Sequence, residues 1–565
     1  MSKSKRPITI DDLWSMKRFG PVTVSPDGRW ACAAVSSYTM EGNDGSAQLW
    51  LFATDGSTQR PLTRGTKDGD PQWSPDGRWI AFTSRRPVAG GGALEEQSQL
   101  YLIAADGGES VRATDHATGV SALRWFPDST RIAFVSWVWP DESGGEAQAK
   151  RMKAERDDKV KAYVVERNHY RYWDHWMQRG REPHIHVATL APSVLATATV
   201  RDLFDGTSFR LPPQEPDATL FDISPDGKEI AFTHDFEPDP RAPSFTDIVL
   251  MDVKKGKWTS PTRTSGRAEE APRYSPDGRW IAMSSSDLAR AHNEQARLAL
   301  IRRSDHAIVP LTFGWDRGVG APVRWTPDSR QMLLLAENEI AQPIWTIAAP
   351  EADAAAPEPA TPRELLRGPH HGGVSTDISI SDNGSTLIYA RSSQTHPPTL
   401  FASDADGSNE RAIERLNKTI LDELELADTH SVTVAGFDGD PVQMWVVTPP
   451  GFDLDGTDGK TSKKPGRPAK QWPLMHNIHG GPHTCANDGW HWRWNTQLFA
   501  AQGTVVASVN YHGSTGWGQS FVGSINGDWG RRELADVDAG TEFLLRTGRI
   551  DPRRVTATGG SYGGY

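Results

Sequence analysis

Three features of the 565-residue sequence predict an all-β propeller of seven blades followed by an incomplete α/β domain. A Pro-Asp-Gly phrase returns at regular intervals, the strand rhythm changes near residue 431, and a glycine-flanked serine follows a β-rich run at residues 554–558.

Residues 1–20 form an N-terminal segment, with a short helix expected at 10–16. The propeller is assigned to residues 21–422. The repeat starts at Ser25, Ser74, Phe126, Ser224, Ser275, Thr326 and Ser381, in steps of 49, 52, 98, 51, 51 and 55 residues. Each copy runs a short apolar strand into a turn where proline presets φ and glycine accepts a positive one. A second apolar strand follows, such as Ile80-Ala81-Phe82, and later a third, such as Gln99-Leu100-Tyr101-Leu102-Ile103, then a turn and a fourth. Four strands per repeat is the signature of blades stacked around an axis. A tandem array of separate domains is disfavoured, because so short a unit buries too little apolar area alone.

The double step of 98 residues marks either a blade without its motif or a blade with an insertion. Insertion is favoured at about residues 139–182, where a charged, helix-like run at 147–167 breaks the β rhythm and one strand pair follows at 184–203. Seven blades result, with eight left open. The Ala/Pro-rich stretch 348–363 reads as a long hairpin loop inside blade 6.

Residues 423–565 are assigned to the second domain. Two strands, 432–437 and 442–448, flank Asp438-Gly439, and a polar loop covers 453–470. Asp453, Asp455 and Asp458 lack calcium-loop spacing, and the Lys/Arg/Pro run 463–470 is a solvated loop rather than a minor-groove hook. A buried strand at 472–478 ends in His479-Gly480-Gly481-Pro482. A helix is expected at 492–502, a buried strand at 503–511, a helix at 536–545 and a strand at 554–558. This is the element order of an α/β-hydrolase sheet up to its nucleophile. A second His-Gly-Gly, at 371–373, lies inside the repeat array and is read as a turn.

Gly559-Gly560-Ser561-Tyr562-Gly563 fits the nucleophile elbow G-x-S-x-G. There the chain leaves a strand, turns sharply at the serine and enters a helix, with glycines where a Cβ would block crossing backbones. Ser561 is the candidate nucleophile. The Gly481 and Tyr562 N–H groups are the candidate oxyanion donors, because glycines let a loop approach a developing oxyanion closely. The insertion carries His169-Tyr170-Arg171-Tyr172-Trp173-Asp174-His175-Trp176, read either as a substrate-contacting patch or as a structural anchor with Arg171 and Asp174 paired. Its histidines, with His184 and His186, lack the companion ligands of a zinc site. No metal and no cofactor is expected.

Composition narrows the rest. With 61 basic and 72 acidic residues the net charge is −11, which argues against nucleic acid and anionic membranes as partners. Two cysteines, Cys32 and Cys485, cannot build a disulfide framework. No signal-peptide pattern and no span-length apolar run occurs, so a cytoplasmic location is expected.

Together the Ser-Pro-Asp-Gly blades, the 169–176 patch, His479-Gly480-Gly481-Pro482, Gly513-Ser514-Thr515-Gly516-Trp517-Gly518, Asp528-Trp529-Gly530 and the elbow resemble the prolyl oligopeptidase family of serine peptidases. The acylaminoacyl-peptidase and dipeptidyl-peptidase branches are nearest. The resemblance implies a propeller that sieves short peptides, an acyl-enzyme on Ser561, and Gly481 with Tyr562 as oxyanion donors. His479, Glu166, Arg171 and Asp174 are candidate substrate contacts, the two acids for a free amine. His512 departs from the arginine common in relatives.

In this chain order the triad acid and base follow the serine, and both are absent from this chain. The chain is therefore expected to be truncated just after the nucleophile and inactive alone, needing a C-terminal fragment or second chain; a homo-oligomer stays open. The competing readings are a propeller binding scaffold with a vestigial hydrolase remnant, and an esterase or lipase. Preference among amino-terminal, acyl-peptide and internal-proline cleavage is not legible.

Overall fold

The Ser-Pro-Asp-Gly phrase wires its own turn. Around Ser74 the hydroxyl donates to Asp76 Oδ1 (2.6 Å) and accepts from the Trp79 N–H (2.9 Å), while the Gly77 N–H donates to the Ser74 carbonyl (2.8 Å). Gly77 takes φ +70°, which costs glycine nothing. Ser25, Ser224, Ser275, Thr326 and Ser381 repeat the hydroxyl bonds. The copy at Phe126 has no hydroxyl, and Asp128 instead accepts from the Thr130 and Arg131 N–H groups.

A computed structural model of the chain describes residues 5–565 apart from 88–93, 163–170, 173–174, 177–179, 192–196, 214–215, 237–244, 288–292, 352–358, 453 and 455–469. Each turn joins the first two strands of a four-stranded antiparallel sheet, and seven such sheets follow one another along the chain. They span residues 18–61, 69–112, 121–202, 221–259, 268–310, 320–366 and 374–412. In blade 3 the strands Arg131–Val138 and Glu182–Thr189 pair directly, Val138 opposite Glu182. The helix Gly145–Asp157 and the small hairpin Arg171–Tyr172 with His175–Trp176 are therefore an insertion between them, not an eighth blade.

Blade 1 is built wholly from residues 18–61 and blade 7 wholly from residues 374–412, so no shared strand closes the ring. Side chains close it instead. The Val24 N–H donates to Ser379 Oγ (3.1 Å), Asn383 Nδ2 to the Asp27 carbonyl (2.9 Å) and Arg411 Nε to the Thr54 carbonyl (2.7 Å), over a shared apolar cluster that includes Val22, Phe52, Ile388 and Leu400.

One correction concerns the start of the ring. Blade 1 begins with the strand Arg18–Val24, inside the segment expected to precede the propeller, because Arg18 and Phe19 extend the ladder opposite Ser36 and Val35 past a bulge. That segment also holds the helix Ile10–Ser15, capped by Thr9. Its Leu13, with Ile8 and Met16, packs on Leu424 and Trp490 and so ties the N-terminal segment to the second domain.

The second domain is a five-stranded sheet in the order Asp428–Ala435, Pro441–Thr448, Val505–Val509, Trp472–Ile478, Ile550–Gly559. The first two strands are antiparallel to their neighbours and the last three are mutually parallel. Of the parallel strands, the central Val505–Val509 is buried along its whole length, as an inner strand covered on both faces requires, while the edge strand Ile550–Gly559 is largely polar and half-open to solvent. Helix Arg531–Arg546 lies close on the sheet through Gly540, where a Cβ would sit 2.8 Å from Met444 Sδ. Among the described residues no helix is long and apolar enough to cross a membrane.

A second correction concerns the helix expected over residues 492–502. It is confined to Thr496–Ala500. His491 Nδ1 accepts the N–H groups of Arg493 (3.1 Å) and Trp494 (2.7 Å), which holds that stretch as a turn, and the Asn495 side chain caps the helix at the Leu498 N–H (2.9 Å).

Propeller and second domain meet through blades 5, 6, 7 and 1. Asn293 bonds Asn526 (3.0 Å), Asp316 accepts from the Gln519 N–H (2.8 Å), and the Glu339 N–H donates to the Gly516 carbonyl (2.9 Å). The Arg18 guanidinium lies 4.4 Å from the Trp492 ring centroid. Asp488 accepts the N–H groups of Gly373 (2.8 Å) and Gln394 (3.0 Å), one from each of two blade 7 turns.

Candidate active site

Strand register places the two candidate loops side by side. Trp472–Ile478 and Ile550–Gly559 run parallel with Ile478 opposite Gly559, so the 479–482 loop and the 560–564 turn leave the same sheet edge as neighbours. This is the carboxyl end of adjacent parallel strands, where open α/β sheets bind ligands.

The elbow depends on missing side chains. A Cβ on Gly559 would lie 2.1 Å from the Gly563 carbonyl oxygen, and one on Gly563 would lie 2.2 Å from the Ile478 carbonyl oxygen. Only glycine fits either place. Ser561 itself takes φ +55°, the left-handed region that costs an L-residue energy, followed by the one-turn helix Ser561–Gly564.

Around the serine the contacts are specific. Gly480 is pressed against the elbow, where a Cβ would meet the Gly560 carbonyl at 2.9 Å. Among the described residues the Gly481 N–H donates to no backbone carbonyl. The Tyr562 hydroxyl donates to Glu533, which also accepts the Gly530 N–H (3.0 Å). The His479 ring stacks on Tyr511 at 4.1 Å and bonds Ser514 Oγ through Nε2 (3.0 Å). Its Nδ1 faces the Gly480 carbonyl (2.8 Å), and burial pushes its pKa down to about 4. His479 thus organises the loop, and no described histidine is hydrogen-bonded to Ser561.

His512 is equally committed elsewhere. Its Nδ1 and its backbone N–H both engage Asp536 Oδ2 at 2.7 Å, its Nε2 faces Asp440 (3.3 Å), and Asp536 is fully buried. Burial alone would lower its pKa, but the hydrogen bond and charge of Asp536, with Asp440 behind them, raise it. This pair pins the loop after strand Val505–Val509 to helix Arg531–Arg546.

A cavity of about 700 Å³ opens onto Ser561 between the 484–496 loop, the 479–480 loop and the tip of a blade 7 hairpin. The Trp494 ring walls it against Gly560, whose Cβ would lie 3.1 Å from Trp494 Cζ2. Gln394 enters from the propeller, bonded to Thr496 Oγ1 (2.8 Å) and the Asn487 carbonyl (3.3 Å). A larger cavity, about 1040 Å³, lies where blade 7 meets the first sheet strand and does not include the serine. Of the remaining candidates, Arg171 is exposed on the insertion hairpin, and Glu166 and Asp174 lie outside the described residues. Sequence reasoning passed over Gln394, Asp488, Arg493 and Trp494. The Trp/His/Arg density of residues 490–494 was the one available signal.

Residues 490–565 match the model of the prolyl oligopeptidase family. Across 99% of its length the chain is 26% identical to dipeptidyl-peptidase 5 of Porphyromonas endodontalis, covering 75% of that protein. It is 27% identical to the uncharacterized peptidase YuxL of Bacillus subtilis, again over 99% of this chain, covering 79% of that protein. In fold it is similar to an acylaminoacyl peptidase solved with Z-Gly-Gly-Phe-chloromethyl ketone, with TM-score 0.73, 16% identity, and 99% and 75% of the two chains covered. The acylaminoacyl peptidase of Pyrococcus horikoshii gives TM-score 0.72 at 16% identity, with 97% and 74% covered.

Proposed function

We propose that this chain, related along its length to peptidases of the prolyl oligopeptidase family, supplies the nucleophile, oxyanion loop and propeller of a serine peptidase acting on short peptides. The observation that carries the reading is Ser561 at φ +55° on a turn that only glycines permit, beside the 479–481 loop. In this reading the Ser561 hydroxyl attacks the peptide carbonyl, and the Gly481 and Tyr562 N–H groups receive the oxyanion. The acyl-enzyme is then released by water. Such a donor pair contributes about 3 kcal/mol or more to the transition state.

The serine needs a base, because at neutral pH its hydroxyl is a weak nucleophile. We assign that role, and the acid that orients it, to residues that follow the serine in this fold's chain order, in the same polypeptide or a second one. The names of its relatives favour dipeptidyl or acyl-peptide release as the reaction. A cytoplasmic location rests instead on two cysteines that build no disulfide framework.

The test is labelling by a fluorophosphonate. Protein isolated from its native source should be modified at Ser561, Ser561→Ala should not, and the same protein should hydrolyse chromogenic dipeptide or acyl-peptide substrates. Comparing free with N-acetylated substrates separates the two branches. Ser561 without a bonded histidine among the described residues favours a second reading, a propeller that binds peptides without cleaving them. Native protein that binds peptides and resists the probe would establish it.

A further inference from the structure

The cavity at Ser561 is cationic and holds no acid. Its basic groups are Arg493, His479 and His491, set among side-chain amides such as Asn477 and Asn487, and no aspartate or glutamate lines it among the described residues. Burial pushes His479 down to about 4, and His491 Nδ1 accepts two backbone N–H groups and so carries no proton, which leaves both imidazoles neutral at pH 7. Burial, with Glu337 behind it, raises the Cys485 thiol, which is neutral too. Arg493 is left as the one fixed charge of the described lining.

That charge is unspent. Arg493 is exposed, its guanidinium lies 5.9 Å from the Trp494 ring centroid, and no carboxylate among the described residues pairs with it. Asp488, five positions earlier, is 2% exposed and gives both oxygens to the Gly373 and Gln394 amides. A guanidinium presents five donors in a planar fork that matches a carboxylate, and amide N–H groups nearby add further donors. Among the described residues of this lining a peptide ammonium finds no counter-charge.

We infer that the subsite beside Ser561 takes a peptide carboxylate, either an Asp or Glu side chain or a free C-terminus, and that Arg493 is the residue that reads it. The inference rests on the peptide reading given above and narrows its substrate class.

The experiment is equilibrium binding to the 565-residue chain carrying Ser561→Ala, followed by calorimetry. Ala-Ala-Glu-amide is compared with Ala-Ala-Gln-amide for the side chain, and Ala-Ala-Ala with Ala-Ala-Ala-amide for the terminus. The carboxylate member of at least one pair should bind about tenfold tighter at low salt, as a charge-assisted hydrogen bond requires. The advantage should shrink at 0.5 M salt. Arg493→Gln should erase it, Arg493→Lys should keep most of it, and Arg493→Glu should transfer the preference to Ala-Ala-Lys-amide. Peptide binding with both pairs equal within about twofold, or a preference that survives Arg493→Gln, overturns the inference and leaves the peptide reading standing. Failure of every peptide to bind overturns both.

Discussion

Asp488 should be the bolt between the two domains, and its removal can be worked out from the contacts it makes. Its carboxylate is 2% exposed and accepts two buried N–H groups, Gly373 at 2.8 Å and Gln394 at 3.0 Å, from separate turns of blade 7. Asp488→Ala leaves both donors without an acceptor, and each buried unsatisfied group costs about 1–3 kcal/mol. The junction should therefore lose about 2–6 kcal/mol. Asp488→Asn keeps one acceptor oxygen and turns an NH2 toward the other donor, so about half that loss is expected.

Native-state hydrogen exchange reads this locally, because exchange at the Gly373 and Gln394 amides reports the free energy of the opening that exposes them. A loss of about 2 kcal/mol speeds exchange roughly 30-fold at those two positions. Strand amides in blades 2–4 should be unchanged. As a control, Asp422, exposed and paired with Lys418 on a helix surface, should tolerate Asn within about 0.5 kcal/mol. Unaltered exchange at Gly373 and Gln394 in Asp488→Ala would refute the bolt.

Gly563→Ala should be destabilising by more than the usual 1–3 kcal/mol of an overpacked site, roughly 3 kcal/mol or above, because its Cβ would land 2.2 Å from the Ile478 carbonyl. The midpoint of urea unfolding checks this, and probe labelling of Ser561 in the native protein should be lost with it. The His512–Asp536 pair predicts a pH dependence of stability. His512 holds its proton more tightly when folded than its ordinary value of 6.5, so its contribution is complete below that value and is lost as pH rises through the higher folded value. Urea midpoints between pH 5.5 and 8.5 should fall for the parent chain and stay flatter for His512→Gln. Ser74→Ala removes the hydroxyl that bridges Asp76 and the Trp79 N–H at a fully buried position, and should cost about 1 kcal/mol in thermal unfolding.

The propeller was legible because its information is local. Each Ser-Pro-Asp-Gly turn satisfies its own hydrogen bonds within six residues, so the repeat can be counted without knowing what the blades touch. The elbow was legible for a related reason, since glycines at 559 and 563 record the crossing of two backbones that nothing larger permits. The insertion in blade 3 could be proposed from spacing, but the pairing of Val138 with Glu182 was needed to decide it.

What the sequence could not reveal depends on groups brought together from far apart in the chain. Asp488 reads as an ordinary loop acid until Gly373 and Gln394 arrive from blade 7, and Arg493 as an ordinary surface charge until the cavity around it proves free of acids. The helix expected at 492–502 was shortened by one histidine whose ring nitrogen takes two backbone N–H groups. Turn chemistry and backbone clearance are written residue by residue, and so the sequence alone determined the blades and the elbow. Charge compensation and the docking of domains depend on distances in space, and only the tertiary structure decided them.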